Sequence, residues 1–343
     1  MFASFLTAMP YAIRKIWQPD LFQGHSRKDN YFEGWYFKMV DATKSAIYAV
    51  IPGIAWGKNG KDSHAFIQLI NGQTCETHYF RYDTTDFRFS KHRLEGWVGD
   101  SFFSKDRLAL HIHQQGFTVE GEVQLHQLTP YPVRWSSPGI MGWYAFVPGM
   151  ECYHGLVSMH HRLSGQLCIQ GQTISMEEGV GYLEKDWGSS MPACWVWMQC
   201  NHFDRQPNTS LMVSLAKIPW MGHYFPGYLA VLWIEGQFYT FTTYTGARIT
   251  RLDFSEKEVL LTLADRQYQL EIHALRAAIG ELKAPVNGLM ERRIQESIAA
   301  KVSYRLLDKK GHCLAQDTGD TCGLEVVGDV SPLLAALQTK PSL

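Results

Sequence analysis

The chain has 343 residues and a formal net charge of −1, which excludes a generally basic nucleic-acid binder. Aromatic residues make up 13% of it and charged residues 19%. A chain this apolar and lightly charged buries a large core, so disorder is excluded, and its length predicts about two domains.

At the N-terminus, Met1–Ile13 is apolar and short, and Arg14 and Lys15 follow it. Basic residues precede the apolar core in a secretory signal, so this order predicts a mature start and a cytoplasmic protein. No apolar run approaches the roughly 18 residues of a membrane span. We expect an extension over 1–27, β domains over 28–180 and 181–330, and a tail over 331–343. The inner boundary rests on the recurrence of Gly and Ser through Gly165–Gly181.

Period-two alternation dominates from there on. The segments 46–51, 65–70 and 77–82 read as short strands. Leu108, Leu110 and Ile112 then alternate with Ala109, His111 and His113, and Phe117, Val119, Val123 and Leu125 line the next run. Further strands are predicted over 195–200, 210–215, 228–234, 237–244, 259–263, 268–272, 301–307 and 323–327, many of them parted by turn pairs such as Glu235-Gly236 and Asp265-Arg266. Many closely spaced strands predict an all-β protein of two antiparallel barrel or sandwich domains. The one candidate helix is Val286–Ala300, behind Asn287. Glu33–Phe37, Gly142–Phe146 and Trp195–Trp197 suggest equivalent aromatic strands in two related units.

No cofactor is expected. Gly53–Lys58 is one residue short of a phosphate loop, Gly179-Val180-Gly181 lacks the third glycine of a dinucleotide loop, and there is no G-x-S-x-G elbow. Seven cysteines without a C-x-x-C pair predict buried free thiols. His111 and His113 face one way on a strand. No carboxylate follows at short spacing and Glu120 stands well along the chain, so the pair reads as a solvated face rather than a metal site.

Two aromatic segments stand out. In Asn30–Lys38, strand geometry puts Glu33, Trp35 and Phe37 on one face. A carboxylate among large rings is costly unless paired or protonated. Gly181–Gly188 carries Glu184 and Asp186 on one face with Lys185 opposite. It is followed by Pro192 and by Trp195–Phe203, in which Trp195, Trp197, Gln199 and Asn201 point one way, an apolar wall with a polar end.

These segments, Phe32–Phe37, Glu184–Gly188, Met191-Pro192 and Trp195–Phe203, resemble the hallmarks of the tocopherol cyclase family, in the same order, over about Asp29 to Gly328. The plant enzymes read Asn where Asp186 stands, and Gly142–His154 is similar to bacterial members. The resemblance implies two lipocalin-like β domains and a cofactor-free isomerase that closes a prenylated hydroquinone to a chromanol. That chemistry asks for a proton donor to an alkene, a dry aromatic pocket for the tertiary cation, and an acceptor for the phenolic proton.

Glu184 is the first candidate for the acid, with Asp186 and Glu33 beside it. Trp35, Phe37, Trp187, Trp195 and Trp197 are candidates for the cation and tail, and His64, Gln199 and Asn201 for the ring oxygens. Each has a plainer reading: Glu33 paired with a cation across the sheet, the tryptophans as core, His64 as a satisfied structural histidine. The alternatives in function are a non-catalytic carrier of an isoprenoid-like ligand and an isoprenoid hydratase on the same fold. The expected partner is a lipophilic small molecule and no nucleic acid. The aromatic segment 219–228, with no fixed charge, is read as a loop: one packed onto the protein's own core, a pocket lid, or a contact with a membrane surface.

Overall fold

A computed structural model describes residues 9–220, 222–277 and 279–338, except for the side chains of 335–338. The residues Met1–Ala8 of the presumed mature start, Met221 of the aromatic segment and the last five residues of the tail lie outside the described residues.

The strands are, in chain order, β1 (Tyr31–Val40), β2 (Ile47–Trp56), β3 (His64–Asn71), β4 (Thr77–Tyr82), β5 (Phe87–Phe89), β6 (Glu95–Val98), β7 (Ser101–Ser104), β8 (Arg107–Gln114), β9 (Phe117–His126), β10 (Cys152–Ile169), β11 (Gln172–Ser175) and β12 (Val180–Gly188). They form one antiparallel sheet in the order β4-β3-β2-β1-β12-β10-β9-β8-β7-β6-β5, with β11 on β10. A second sheet contains β13 (Trp195–Cys200), β14 (Thr209–Trp220), β15 (His223–Ile234), β16 (Gln237–Thr242), β17 (Arg248–Phe254), β18 (Glu258–Ala264), β19 (Tyr268–Leu275), β20 (Gly280–Val286), β21 (Leu289–Asp308) and β22 (Cys313–Val327). Its order is β16-β15-β14-β13-β22-β21-β19-β18-β17, with β20 on β21. Among the described residues, helix is confined to α1 (Tyr11–Arg14), α2 (Ser331–Gln338) and three short 3-10 turns. The all-β, two-sheet expectation agrees with this architecture. Each strand order runs as an open path among the described residues.

The chain forms two compact units. The first comprises Met1–Asn71, Thr77–Met191 and Lys283–Arg293; the second comprises Gly72–Glu76, Pro192–Leu282 and Ile294–Leu343. The inner boundary therefore falls at Met191/Pro192 and not at 180/181. The reason is pairing: β12 is bonded on both sides by β1 and β10, so it belongs to the first sheet. The extension is also part of the first unit, since Phe22 sits in its core.

Each unit has its own apolar core. In the first, Trp35, Phe37, Val50, Ile67, Phe103, Leu110, Val123 and Leu183 pack together. In the second, Val196, Met198, Val213, Leu232, Phe241, Leu270, Val302 and Leu324 do the same. Both sets come from alternate strand positions, the side of each strand that burial removes from water at about 1.5–3 kcal/mol per large side chain.

Three local expectations are corrected. Val286–Ala300 is not a helix: Asn287 and Gly288 have φ of 49° and 72° and form the turn between β20 and β21. Two consecutive positive φ values are the geometry of a tight hairpin, for which Asn-Gly is the strongest short signal. Gly142–Phe146 is a 3-10 turn, not an aromatic strand. The segment 219–228 is not a loop but the end of the β14–β15 hairpin, with Pro219 opposite Tyr224 and Trp220 opposite His223; Trp220 and Tyr224 are exposed there. Of the seven free cysteines, Cys194, Cys200 and Cys322 are buried, whereas Cys313 is exposed.

Candidate active site

The central feature of the first unit is β12, whose alternation sends neighbouring residues to opposite sides of the sheet. Its pairing with β1 sets Trp187 opposite Glu33, Lys185 opposite Trp35 and Leu183 opposite Phe37. These six residues share the core face. Lys185 Nζ lies 2.5 Å from Glu33 Oε1 and both side chains are fully buried. The Glu33 carboxylate also accepts the backbone N–H of Gln23 at 2.9 Å and of Gly24 at 3.0 Å, together with the Tyr31 hydroxyl. Lys185 donates to the Leu21 carbonyl and stands 5.0 Å and 4.7 Å from the ring centres of Trp35 and Trp187.

Burial pushes the Lys185 ammonium below its usual value, and the Glu33 charge opposes that shift. The Glu33 oxygens are thus committed to one ammonium, two amides and a phenol. Trp35 and Trp187 cover the lysine, and Trp187 also stacks on Tyr153 at 5.6 Å. The plainer reading of Glu33, a cation partner across the sheet, is the one the geometry supports.

The other face of β12 carries Tyr182, Glu184 and Asp186. There His154 of β10 stands opposite Asp186. His154 Nδ1 is 2.7 Å from Asp186 Oδ1, and its Nε2 is 3.1 Å from Glu184 Oε2. The Tyr182 hydroxyl donates to Glu184, and Cys152 Sγ lies 3.9 Å from Asp186. Glu184 and His154 are buried, whereas the Asp186 side chain keeps 27% of its surface exposed. Burial works against a charged imidazole, but Asp186 and then Glu184 outweigh it and hold the His154 pKa well above the ordinary value. Burial, reinforced by the same carboxylates, keeps Cys152 and Tyr182 protonated.

The result is a buried imidazole flanked by two carboxylates that favour its charged form, with Asp186 the partly exposed member of the three. The three ligand atoms lie within 4.8 Å of one another, close enough for a metal ion. The same three groups can also hold and pass a proton, since Asp186 and Glu184 favour the charged form of the imidazole.

Glu184 and Asp186 are thus brought together, and Glu33, Trp35, Phe37 and Trp187 lie on the face opposite them. His64 lies on β3 with its Nδ1 2.6 Å from the Asp62 carbonyl and its Nε2 2.6 Å from the Tyr79 hydroxyl. Burial lowers its pKa, so it is a neutral imidazole that donates to the carbonyl and accepts from the phenol. Trp195, Trp197 and Gln199 belong to the second unit, on the face of β13 opposite Val196 and Met198 of its core; Asn201 follows and bonds His202 at 3.0 Å. Trp195 donates to Glu325, and the Trp197 ring packs over Gly323.

Sequence reasoning missed His154 and Tyr182. Tyr182 was detectable, standing two residues before Glu184 and hence on its face. His154 comes from another strand, where no spacing rule reaches it.

Comparison with known proteins places these residues in context. The tocopherol cyclase-like family matches residues 127–328, which include His154, Tyr182, Glu184 and Asp186. A chloroplastic tocopherol cyclase of Zea mays is 32% identical over 111 residues, covering 31% of this chain and 23% of that protein. A probable chloroplastic tocopherol cyclase of Oryza sativa subsp. japonica is 30% identical over 108 residues, with the same coverage. The matches thus span about a quarter of the length of these relatives. Among solved structures, kievitone hydratase from Nectria haematococca aligns over 90% of this chain and 94% of its own, with a TM-score of 0.49 and 11% identity. With its match extending over more than half of the sequence, the chain belongs to the tocopherol cyclase-like family.

Proposed function

We propose that this protein is a cyclase of the isomerase type that closes a chromanol-type ring on a prenylated hydroquinone or similar lipophilic aromatic. The observation that carries this reading is the His154 imidazole held between Glu184 and Asp186, within the stretch matched by the family.

The proton passes from the His154 cluster, through the partly exposed Asp186, to one alkene carbon. The π bond breaks as that C–H bond forms, leaving a tertiary cation. A phenol oxygen of the same molecule attacks the cation, a C–O bond forms, and the phenolic proton returns to the carboxylate pair. Protons balance over the cycle, so the reaction is an isomerisation that consumes no co-substrate. The Glu184 carboxylate lies 3.1 Å from the second imidazole nitrogen, and the Tyr182 hydroxyl donates to Glu184. Such positioning gives a general acid its effect, about 10²–10⁴-fold in rate.

The test is to assay cyclisation of prenyl hydroquinones by the wild type and by Glu184→Gln and Asp186→Asn, measuring ligand binding in parallel. Losses of that size with binding retained support the proposal. Wild-type turnover in both variants overturns the mechanism, and binding without turnover of any prenyl hydroquinone favours a carrier.

A further inference from the structure

We propose that the β8–β9 hairpin carries a site for a divalent transition-metal ion of the zinc class, ligated by His111, His113 and Glu120. In the sequence Glu120 stands apart from the two histidines, but the hairpin register sets His111 directly opposite it. Period two puts His113 on the same face, so Glu120 is opposite one imidazole and diagonal to the other. Its Oε1 lies 2.8 Å from His113 Nε2 and 3.5 Å from His111 Nδ1, and all three ligand atoms fall within 4.8 Å of one another. Tetrahedral ligands at roughly 2.0–2.2 Å from zinc are about 3.3–3.5 Å apart, a spacing close to that of the two Glu120 contacts.

Two imidazoles and one carboxylate form a donor set for zinc-class ions; calcium and magnesium take oxygen ligands. The site also stands on a firm base. On the opposite face of the hairpin, Leu108, Leu110, Ile112, Val119 and Val123 are fixed in the first core, which holds the ligating strands in place. The three side chains are about half exposed, so an ion there retains open coordination positions.

Those positions border a recess. His111 and His113 line a cavity of about 450 Å³ together with Asp86, Arg88, Asp100 and Gln114. Tyr82 lines the same cavity, and its hydroxyl is buried with no hydrogen-bond partner among the described residues. The buried imidazolium cluster at His154 is a separate group, so the two sites can be distinguished by mutation.

The experiment is calorimetric titration of the full chain with Zn²⁺, with Co²⁺ absorption as a readout of coordination geometry. The wild type and Asp186→Asn are expected to bind one equivalent more than His111→Ala/His113→Ala, and Glu120→Gln to bind at least tenfold more weakly. Circular dichroism checks that the variants fold, as expected for half-exposed side chains. Identical stoichiometry and affinity in the wild type and the double histidine variant, or no Zn²⁺ binding at all, overturns the proposal.

Discussion

Lys185 reaches across from β12 to Glu33 on β1, and the two close a fully buried ion pair onto which the backbone of Leu21–Gly24 is tied. Removing one member leaves an uncompensated charge in the core, which typically costs about 3–5 kcal/mol. Lys185→Met and Glu33→Gln should each destabilise by about that amount, and the double variant by less than their sum. Denaturant unfolding of the four proteins measures the coupling. Faster hydrogen exchange at the amides of Gln23 and Gly24 in Glu33→Gln should accompany it.

The His154 cluster predicts a pH profile. Chemistry that needs the imidazolium declines on the alkaline side, above the raised pKa of His154. Asp186 is the main cause of that rise, so Asp186→Asn should move the alkaline limb to lower pH. The stability it contributes follows the same sign. It is fully present below the unfolded pKa of about 6.5 and lost as pH rises through the folded value. NMR titration of the His154 ring in the two proteins checks both.

His161 carries the opposite sign. Burial holds its pKa down at about 3, and its Nδ1 hydrogen donates to Ser158 Oγ at 3.1 Å. Its ring lies against Gly181, where a Cβ would meet Nε2 at 2.2 Å. The unfolded chain takes up a proton near pH 6.5 that the folded chain refuses until about pH 3. Between those values His161 should remove about 1.4 kcal/mol of stability for each unit of falling pH. A shallower acid limb in His161→Asn, followed by urea unfolding from pH 7 to 4, is the expected outcome. An unchanged slope would rule His161 out as its source.

Gly288 is the second residue of the β20–β21 turn, with φ of 72°, and a Cβ there would lie 2.2 Å from the Trp56 carbonyl oxygen. Gly288→Ala should destabilise by about 1–3 kcal/mol from backbone strain, with the carbonyl clash in addition. Asn287→Gly should cost much less, because glycine tolerates the same φ. Thermal unfolding of the two variants compares them.

The strands were largely legible because alternation is local: 77–82 and 195–200 agree with β4 and β13 at both ends. Alternation also separated Lys185 from Glu184 and Asp186. It does not say which side of a strand meets the core, so Trp187 was offered beside Glu184 and Asp186 although it lies on the Lys185 side with Trp35 and Glu33. The partners Lys185–Glu33 and His154–Asp186 are 152 and 32 residues apart, and only strand pairing brings them together. Two signals were present and misread. Asn287 alone reads as a helix cap, whereas Asn287-Gly288 as a pair is the signal of a tight turn. Gln115 and Gly116, both at positive φ, make a two-residue turn whose register arithmetic already pairs His111 with Glu120.

Tyr182 to Trp187 is two devices interleaved in one strand, with every second residue assigned to each. Substitution at any position disturbs one device and leaves the other in place. A change of length does not: inserting or deleting a single residue ahead of Glu184 turns the segment over, driving two carboxylates into an apolar interior and withdrawing the lysine from Glu33. This segment therefore has a reading frame, and variants of the protein that keep both devices can differ here in residue type but not in residue count.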